Sequence, residues 1–261
     1  MITLIHPSID PVIVSFGQLS IRWYGLSYVL GLILGIYFMK KLNTLTVKPL
    51  KNKIIDDFFI WACMGVIIGG RFGYVIFYQA NIFLSNPMYI FYIWKGGMSF
   101  HGGLLGIIIA MALFSYYKKT SFLYVSDLVS TVAPIGLFFG RIANFINGEL
   151  YGRITSFPIA MIYPDIDLQR RHPSQLYEAF FEGILIFLIL IIIIKKTIIK
   201  NRIGINTSIF LILYGFFRIL IENLREPDEQ IGLIFNFFTM GQFLSFPMII
   251  LGFFILSNRK K

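Results

Sequence analysis

The sequence predicts an all-α membrane protein with seven transmembrane helices. Hydrophobic residues make up 57% of the chain and charged residues only 14%, and the mean hydropathy is +0.75. A bilayer core about 30 Å thick is crossed by roughly 20 helical residues, and seven apolar runs have about that length. The alternating pattern of a transmembrane β-barrel does not recur, so helices are favoured. The predicted spans are residues 22–39, 57–78, 99–117, 127–147, 175–194, 204–223 and 236–256.

The connections between these spans are short, so we expect one integral membrane domain over residues 1–261. The longest, residues 148–173, is predicted to be a periplasmic connection with room for a small head structure. The first residues have no basic stretch before an apolar core and no small-residue cleavage site, so no cleavable signal peptide is expected. Cys63 is the single cysteine, which excludes a disulfide within the chain.

Basic residues are distributed unequally between the two sides of the predicted bundle. Fourteen fall on one side and six on the other when the spans are followed alternately. The positive-inside rule makes the basic side cytoplasmic, so the N-terminus is predicted to be periplasmic and the C-terminus cytoplasmic. Topology and contact with anionic lipid account for the net charge of +10, and no nucleic acid partner is expected. The fourteen are Lys40, Lys41, Lys48, Lys51, Lys53, Lys118, Lys119, Lys195, Lys196, Lys200, Arg202, Arg259, Lys260 and Lys261.

Three arginines lie within predicted spans, where each costs about 2.5–3.5 kcal/mol to insert at the bilayer centre. At about 1.5 Å per residue, Arg71 lies roughly 21 Å from the inner end of its span. The same sum places Arg141 and Arg218 at similar depths in the outer half. His101 and Tyr24 fall in the first turns of their spans, at the outer side. We therefore expect polar groups from five spans to converge in the outer leaflet.

The segment Gly140–Arg153, GRIANFINGELYGR, places polar side chains where the fourth span reaches water. An arginine in such a lipid environment is suited to holding a phosphate group. In the sixth span, Tyr214, Arg218, Glu222 and Arg225 form one polar stripe on a helical wheel. The stripe has two interpretations: an Arg–Glu ladder that orders the bundle, or a support that holds Arg218 toward a ligand.

Residues 172–178, HPSQLYE, read as the start of the fifth helix. His172 or Ser174 is predicted to cap it, and Gln175 to complete a capping box. Glu178 and Glu182 follow four residues apart, and we interpret the segment as structural rather than chemical.

Other patterns predict packing or exclude a chemistry. Glycines recur at four-residue spacing at 65, 69 and 73, at 102 and 106, and at 136 and 140, which predicts close helix contacts. The chain has three histidines without paired metal-ligand spacing, so no metal site is expected. Ser99 and His101 are two residues apart and point to different helix faces, which argues against a serine protease pair.

Five blocks of the sequence together carry a family resemblance. They are RWYG at 22–25, FHGGLLG at 100–106, GRIANFINGELYGR at 140–153, HPSQLYE at 172–178 and YGFFRILIENLREPD at 214–228. These blocks resemble those of the bacterial prolipoprotein diacylglyceryl transferases and stand in the same order. The resemblance implies a seven-span, cofactor-independent enzyme of the bacterial inner membrane with a site facing the periplasm. Such an enzyme moves the diacylglyceryl group of phosphatidylglycerol to the lipobox cysteine thiol of a prolipoprotein, forming a thioether and releasing glycerol phosphate.

The resemblance also implies roles for individual residues. Arg141 and Arg218 would be catalytic, with Arg141 binding the head group, and His101 would be the general base for the thiol. The alternative is that a desolvated thiol near two arginines ionises without a base, and both routes stay open. The residues expected to bind substrate are Arg141, Tyr24, Asn144, Asn147, Glu149, Gly152, Tyr214 and Glu222.

Three other functions fit a helical membrane protein with buried arginines. They are a transporter or channel for a small anion, a non-catalytic lipid-binding scaffold and, more remotely, an intramembrane protease. A transporter should line a path through both membrane halves with ionisable residues. The predicted polar groups lie on one side only, which favours a site open to the outer leaflet.

Overall fold

Seven helices of the described residues are long and apolar enough to cross a membrane, which confirms the predicted number of spans. A computed structural model describes residues 4–17, 19–46, 49–198, 202–227, 234 and 237–258. Each predicted span overlaps one helix, and the ends differ by up to five residues. The helices are α1 Trp23–Asn43, α2 Asn52–Tyr78, α3 Phe100–Lys118, α4 Phe122–Ile146, α5 Ser174–Lys196, α6 Ile205–Glu222 and α7 Met240–Ser257.

The orientation of these helices in the membrane stays a prediction. Several basic residues on which it depends lie outside the described residues, as do the last residue of the fifth matched block, Asp228, and the C-terminal residues of the chain. The basic residues concerned are Lys48, Lys200, Arg259, Lys260 and Lys261.

The chain forms two compact units. One comprises residues Lys48–Ser126 and contains α2 and α3. The other comprises Met1–Val47 and Asp127–Lys261 and contains α1, most of α4, and α5–α7. The single integral membrane domain expected over residues 1–261 stays a prediction.

Helices α2 and α3 pack through the predicted glycine faces. A Cβ atom built on Gly65 would lie 2.6 Å from the Gly106 carbonyl oxygen, and one on Gly73 would lie 2.8 Å from the Gly102 Cα. Only glycine allows the two backbones to approach so closely. The predicted packing role is confirmed for the glycines of α2 and α3, whereas a Cβ on Gly140 of α4 would meet no described atom within 4 Å, so the prediction is wrong there.

In the other unit, small residues also set the helix spacing. Gly31 of α1 lies against Gly136 of α4, and a Cβ on Gly183 of α5 would lie 2.7 Å from the Phe138 Cβ of α4. Gly183 belongs to a π-helical turn, Ala179–Leu185, within α5. Such turns insert one extra residue into a helix and often occur at functional sites.

Five short strands, which the hydropathy pattern did not predict, lie in the described N-terminal part and in the 148–173 connection. β1 Leu4–Ile5 pairs in parallel with β4 Met161–Ile162, which pairs antiparallel with β5 Arg170–Arg171. β2 Val12–Phe16 and β3 Leu19–Arg22 form a hairpin that leads into α1. The connection thus folds against the N-terminal residues, whereas its periplasmic location stays a prediction.

The predicted start of α5 is confirmed, but its predicted capping is wrong. Pro173 is the N-cap residue, and no side chain caps the helix there. Ser174 instead donates a hydrogen bond to the Leu150 carbonyl oxygen at 2.8 Å, and Gln175 Nε2 donates to the Glu149 carbonyl oxygen at 2.8 Å. The two side chains anchor the neighbouring loop and are therefore not available to cap.

Candidate functional site

A buried cluster of three arginines and three glutamates joins α4, α5 and the end of α6. The glutamates of α5 are completely buried, and Arg218 is 9% exposed. Charged side chains are almost never so buried unless they are paired. We call this set the arginine–glutamate cluster; its members are Arg141, Glu178, Glu182, Arg218, Glu222 and Arg225.

Glu178 is the centre of the cluster. Its Oε2 lies 2.9 Å from Arg141 Nε, and its Oε1 accepts a hydrogen bond from Arg218 Nη1 at 2.6 Å. Arg225 Nη1 donates to the same Oε1 at 3.4 Å. One carboxylate therefore holds arginines that come from two different helices and from the residues after α6.

Glu182 and Glu222 complete the neutralisation of the cluster. Glu182 lies 3.5 Å from Arg141 Nη2 and 3.7 Å from Arg218 Nη1. Glu222 Oε2 lies 2.7 Å from Arg218 Nη2, so the predicted pair within α6 is confirmed. Three positive and three negative formal charges sum to zero, which is the condition for keeping ions in a medium of low dielectric constant.

Close backbone approach from two sides shapes the cluster. Gly183 brings α5 against α4 next to Glu182, as described above. On the other side, a Cβ on Gly241 of α7 would lie 2.8 Å from the Glu222 carboxyl carbon and 3.0 Å from Arg218 Nε. The first turn of α7 therefore covers Glu222, and the positive end of a helix dipole favours a carboxylate there.

A short polar chain leads from Arg141 into the loop that follows α4. Arg141 Nη1 contacts Asn144 Oδ1 at 3.5 Å, and Asn144 Nδ2 donates to Glu149 Oε1 at 2.7 Å. Asn147 Nδ2 donates to the same carboxylate oxygen at 3.2 Å. The backbone of this loop turns through Gly148 and Leu150, with φ values of +66° and +60°. Four polar residues of the GRIANFINGELYGR segment, Arg141, Asn144, Asn147 and Glu149, thus belong to one network.

Gly152 lies where the 148–173 connection meets the residues after α6. It forms a β-bridge with Arg225, and its N–H donates to the His172 carbonyl oxygen at 2.8 Å. A Cβ at this position would lie 2.5 Å from that oxygen and 2.6 Å from the Leu224 carbonyl oxygen. Gly152 is therefore required by close backbone contact, which keeps the chain around Arg225 in place.

Arg171 strengthens the same junction. Its Nη2 donates to Asp167 Oδ2 at 2.6 Å and its Nη1 to Glu226 Oε2 at 3.0 Å. The hydrogen bond from Arg171 holds the pKa of the Asp167 carboxyl below its ordinary value. Burial lowers the pKa of the neighbouring His172, which favours the neutral imidazole. An ion pair thus links the connection to the residues after α6.

Both predicted tyrosines belong to the unit that contains the cluster. Tyr214 is half-buried one turn before Arg218 and is close enough to Arg141 and Glu182 to interact with them electrostatically. Tyr24 lies within electrostatic range of Arg141 and Glu149, and its hydroxyl is 3.4 Å from that of Tyr28. The structure therefore brings Tyr24, Asn144, Asn147, Glu149, Tyr214 and Glu222 near Arg141, Arg218 or their direct partners.

His101 and Arg71 lie in the α2–α3 unit. His101 is exposed in the first turn of α3, where its ring contacts that of Phe100. Its convergence with Arg141 stays a prediction. Arg71 is 2% exposed and donates to backbone carbonyl oxygens of Tyr89, Ile90 and Gly96 at 2.5–3.0 Å. Its guanidinium holds the loop before α3.

Sequence reasoning missed the central part that Glu178, Glu182 and Arg225 have in the cluster. The sequence pattern places Arg225 on the polar stripe of the sixth span but does not predict its contact with Glu178 of α5. The sequence contains a signal for this cluster. Glu178 and Glu182, four residues apart, enter the apolar fifth span, and Arg218 and Glu222 have the same spacing in the sixth. Because a lone buried acid is costly, two such pairs on neighbouring spans predict mutual neutralisation.

Comparison with known proteins places these residues in a family. The family model for prolipoprotein diacylglyceryl transferase matches residues 11–257. The phosphatidylglycerol–prolipoprotein diacylglyceryl transferase of Rickettsia bellii is 49% identical over 96% of this chain and 95% of its own length. The enzymes of Rickettsia felis and Rickettsia typhi are 50% and 49% identical, over 97% of this chain and 99% and 98% of their own lengths. The chain, a multi-pass membrane protein, belongs to the prolipoprotein diacylglyceryl transferase family.

Proposed function

We propose that this protein transfers the diacylglyceryl group of phosphatidylglycerol to the lipobox cysteine thiol of prolipoproteins, the first step of lipoprotein maturation. The observation that carries the proposal is the pair Arg141 and Arg218, which lie on separate helices and both contact Glu178. The relatives in the family are named for this activity. The thiolate sulfur attacks the glyceryl carbon, and a carbon–sulfur bond forms as the carbon–oxygen bond to phosphate breaks. The phosphate takes the electron pair and leaves as glycerol phosphate, and the thiol proton passes to a base or to water.

The leaving phosphate gains negative charge as the bond breaks, and this is the charge that the site must stabilise. A guanidinium binds phosphate oxygens through two parallel N–H donors. Arg141 and Arg218 have side chains that are 15% and 11% exposed, so part of each remains open while the glutamates hold the rest. Fixed donors in a medium of low dielectric constant stabilise such charge more than water does.

The other predicted residues receive binding roles in this proposal. Arg141 binds the head group, and Asn144, Asn147 and Glu149 orient the glycerol hydroxyls or the loop that contacts them. Tyr24 and Tyr214 position the lipid, Glu222 positions Arg218, and Gly152 allows the tight chain crossing. The hydrogen-bonded network of Arg141, Asn144, Asn147 and Glu149 supports the first of these roles. The contact of Glu222 with Arg218 supports its positioning role.

His101 is proposed as the general base that takes the thiol proton. The alternative is a thiol that ionises because two guanidiniums are near, since positive charge lowers the pKa of a cysteine. Transfer by His101→Asn, measured from pH 6 to 8, separates the two routes. Loss of activity with a changed pH profile supports the base, whereas nearly full activity over this range excludes it.

We also propose that the protein lies in the bacterial inner membrane with the cluster toward the periplasm. Described lysines support this orientation: Lys40 and Lys41 lie in the last turn of α1, Lys118 ends α3, and Lys195 lies near the end of α5. In a Cys63→Ala background, a membrane-impermeant thiol reagent should label Thr155→Cys in spheroplasts and should not label Leu45→Cys. The reverse pattern would invert the topology.

Purified protein with phosphatidylglycerol vesicles and a lipobox peptide tests the reaction itself. We expect release of glycerol phosphate and a gain of diacylglyceryl mass on the peptide cysteine. Arg141→Ala should abolish turnover and Arg218→Lys should restore little of it, because lysine lacks the planar fork. Arg22→Ala, which removes an exposed arginine, is the matched control. Anion flux into protein-containing vesicles without any covalent product would favour the transporter instead.

A further inference from the structure

A second polar group lies at the opposite ends of the helices that form the arginine–glutamate cluster. Asp127 of α4 accepts hydrogen bonds from the first turn of α6: from Gly204 N–H through Oδ2, and from Thr207 N–H and Oγ1–H through Oδ1, both at 2.8 Å. Gly204, the N-cap residue of α6, has φ of +86° and provides no side-chain cap. Helix α6 therefore takes its N-terminal cap from α4.

Two further side chains extend this contact to α5. Asn206 Nδ2 donates to Thr131 Oγ1 of α4 at 2.7 Å and to the Leu190 carbonyl oxygen of α5 at 3.1 Å. Thr131 is completely buried and Asn206 is 1% exposed. We call these contacts of Asp127, Thr131, Asn206 and Thr207 the Asp127 tie. It joins α4, α5 and α6, the three helices that carry Arg141, Glu178 and Arg218.

The Asp127 tie and the arginine–glutamate cluster are separated by several turns of apolar helix. At about 1.5 Å per residue, Asp127 lies roughly 21 Å along α4 from Arg141, and Thr207 lies roughly 17 Å along α6 from Arg218. Between them the helices pack through apolar residues such as Ile186 and Leu190, both completely buried. Apolar contact is non-directional, so it leaves the axial position of a helix less defined than directional hydrogen bonds do.

We propose that Asp127 is a positioning residue for the transfer reaction: it fixes the axial position of α6 against α4, so that Arg218 and Arg141 meet at Glu178. A shift of α6 by one residue moves Arg218 by about 1.5 Å along the helix and turns it by about 100°. The hydrogen bond of 2.6 Å between Arg218 and Glu178 does not survive such a shift. This inference rests on the proposed function, since its effect is on transfer.

Transfer by the full-length protein, with phosphatidylglycerol vesicles and a lipobox peptide, tests the proposal. Asp127→Ala should lower kcat at least tenfold. Asp127→Asn should keep at least half of it, because the amide oxygen still accepts hydrogen bonds from Thr207. Asp57→Ala is the matched control: it removes an acid of α2 whose partner, Lys118, is partly exposed, and it should turn over as the wild type does.

A second measurement separates positioning from a general loss of stability. The rings of Phe181 in α5 and Phe217 in α6 lie 5.3 Å apart beside the cluster. In a Phe181→Cys, Phe217→Cys, Cys63→Ala background, Asp127→Ala should change the yield of a short bifunctional thiol cross-link at least threefold, and Asp127→Asn should not.

Two results would overturn the proposal. One is turnover of Asp127→Ala within twofold of the wild type. The other is a fall in the turnover of Asp127→Ala that equals the decrease in its folded fraction, together with an unchanged cross-link yield. If the wild type itself transfers no lipid, the proposed function fails, whereas the cross-link still reports whether Asp127 positions α6.

Discussion

Replacing Glu178 by glutamine is the most direct test of how the arginines are held. Glu178 is completely buried and contacts Arg141, Arg218 and Arg225 at 2.9, 2.6 and 3.4 Å. Glutamine has nearly the same shape but no charge. The cluster then has three guanidiniums and two carboxylates, so one positive charge is left without a partner in the bundle.

The expected magnitude follows from burial and distance. Removing one member of a buried ion pair costs about 3–5 kcal/mol, and a retained neutral hydrogen bond recovers about 1 kcal/mol. If the remaining cost of about 2–4 kcal/mol raises the activation free energy in full, because the arginines are misplaced, kcat falls about 30- to 900-fold. Glu182 is equally buried but its contacts are 3.5 and 3.7 Å long, so Glu182→Gln should cost less than about tenfold.

The assay is lipid transfer to a lipobox peptide, together with the thermal unfolding of each variant in the same detergent. Glu178→Gln should show the larger loss by both measures, and Glu182→Gln serves as its matched control. Activity of Glu178→Gln within threefold of the wild type would refute the reasoning. An equal loss in both variants would also refute it, since contact distance would then have no part in the effect.

Three further predictions concern Gly152, the Asp167–Arg171 pair and Arg71. Gly152→Ala should lower the free energy of unfolding by about 1–3 kcal/mol and reduce transfer, because its Cβ would lie 2.5 and 2.6 Å from two backbone carbonyl oxygens; unchanged thermal unfolding would contradict this. The lowered pKa of Asp167 means that its ion pair with Arg171 stabilises the fold above the ordinary value of 3.8 and is lost as the pH falls through the lowered pKa. The melting temperature of Asp167→Asn should accordingly equal that of the wild type at acid pH and lie below it at pH 7, and a constant difference across the range would argue against the pair. Arg71→Lys should expose residues 87–97 to limited proteolysis, because one ammonium cannot reach the carbonyl groups that the guanidinium holds; an unchanged cleavage rate would show that the loop is held by other contacts.

The helices could be predicted from the sequence because the bilayer imposes a simple rule. Every backbone group in the membrane must be satisfied within its own segment, and a span needs about 20 apolar residues. These constraints act locally, so hydropathy locates α1 to α7 to within a few residues. The glycine faces at Gly65 and Gly106 follow from the same local reasoning, since their spacing places them on one side of each helix.

The arrangement of the site depends on contacts between distant residues, and here sequence reasoning was less successful. The pair Arg218–Glu222 was predicted because its members are one turn apart. The pairs that Glu178 makes with Arg141 and Arg218 join residues 37 and 40 positions apart (178 − 141 and 218 − 178), and no local periodicity indicates them. The capping prediction for Ser174 was wrong for the same reason. Its hydroxyl donates a hydrogen bond to the carbonyl oxygen of Leu150, which lies 24 positions away in the loop after α4.

The neutrality of the cluster bears on turnover as well as on folding. If Arg141, Arg218 and Arg225 lacked carboxylate partners, three positive charges would attract the lipid phosphate strongly, but they would bind the product more strongly still. The lipid phosphodiester carries one negative charge, whereas the released phosphomonoester carries up to two, so an unneutralised site would retain the product. Catalysis needs interactions that are stronger in the transition state than in either bound ground state. In the proposed mechanism, Glu178, Glu182 and Glu222 balance the arginines, so long-range attraction would be small and binding would depend on short, directional contacts with phosphate oxygens. The glutamates would therefore allow the same guanidiniums to stabilise the leaving phosphate and then to release it.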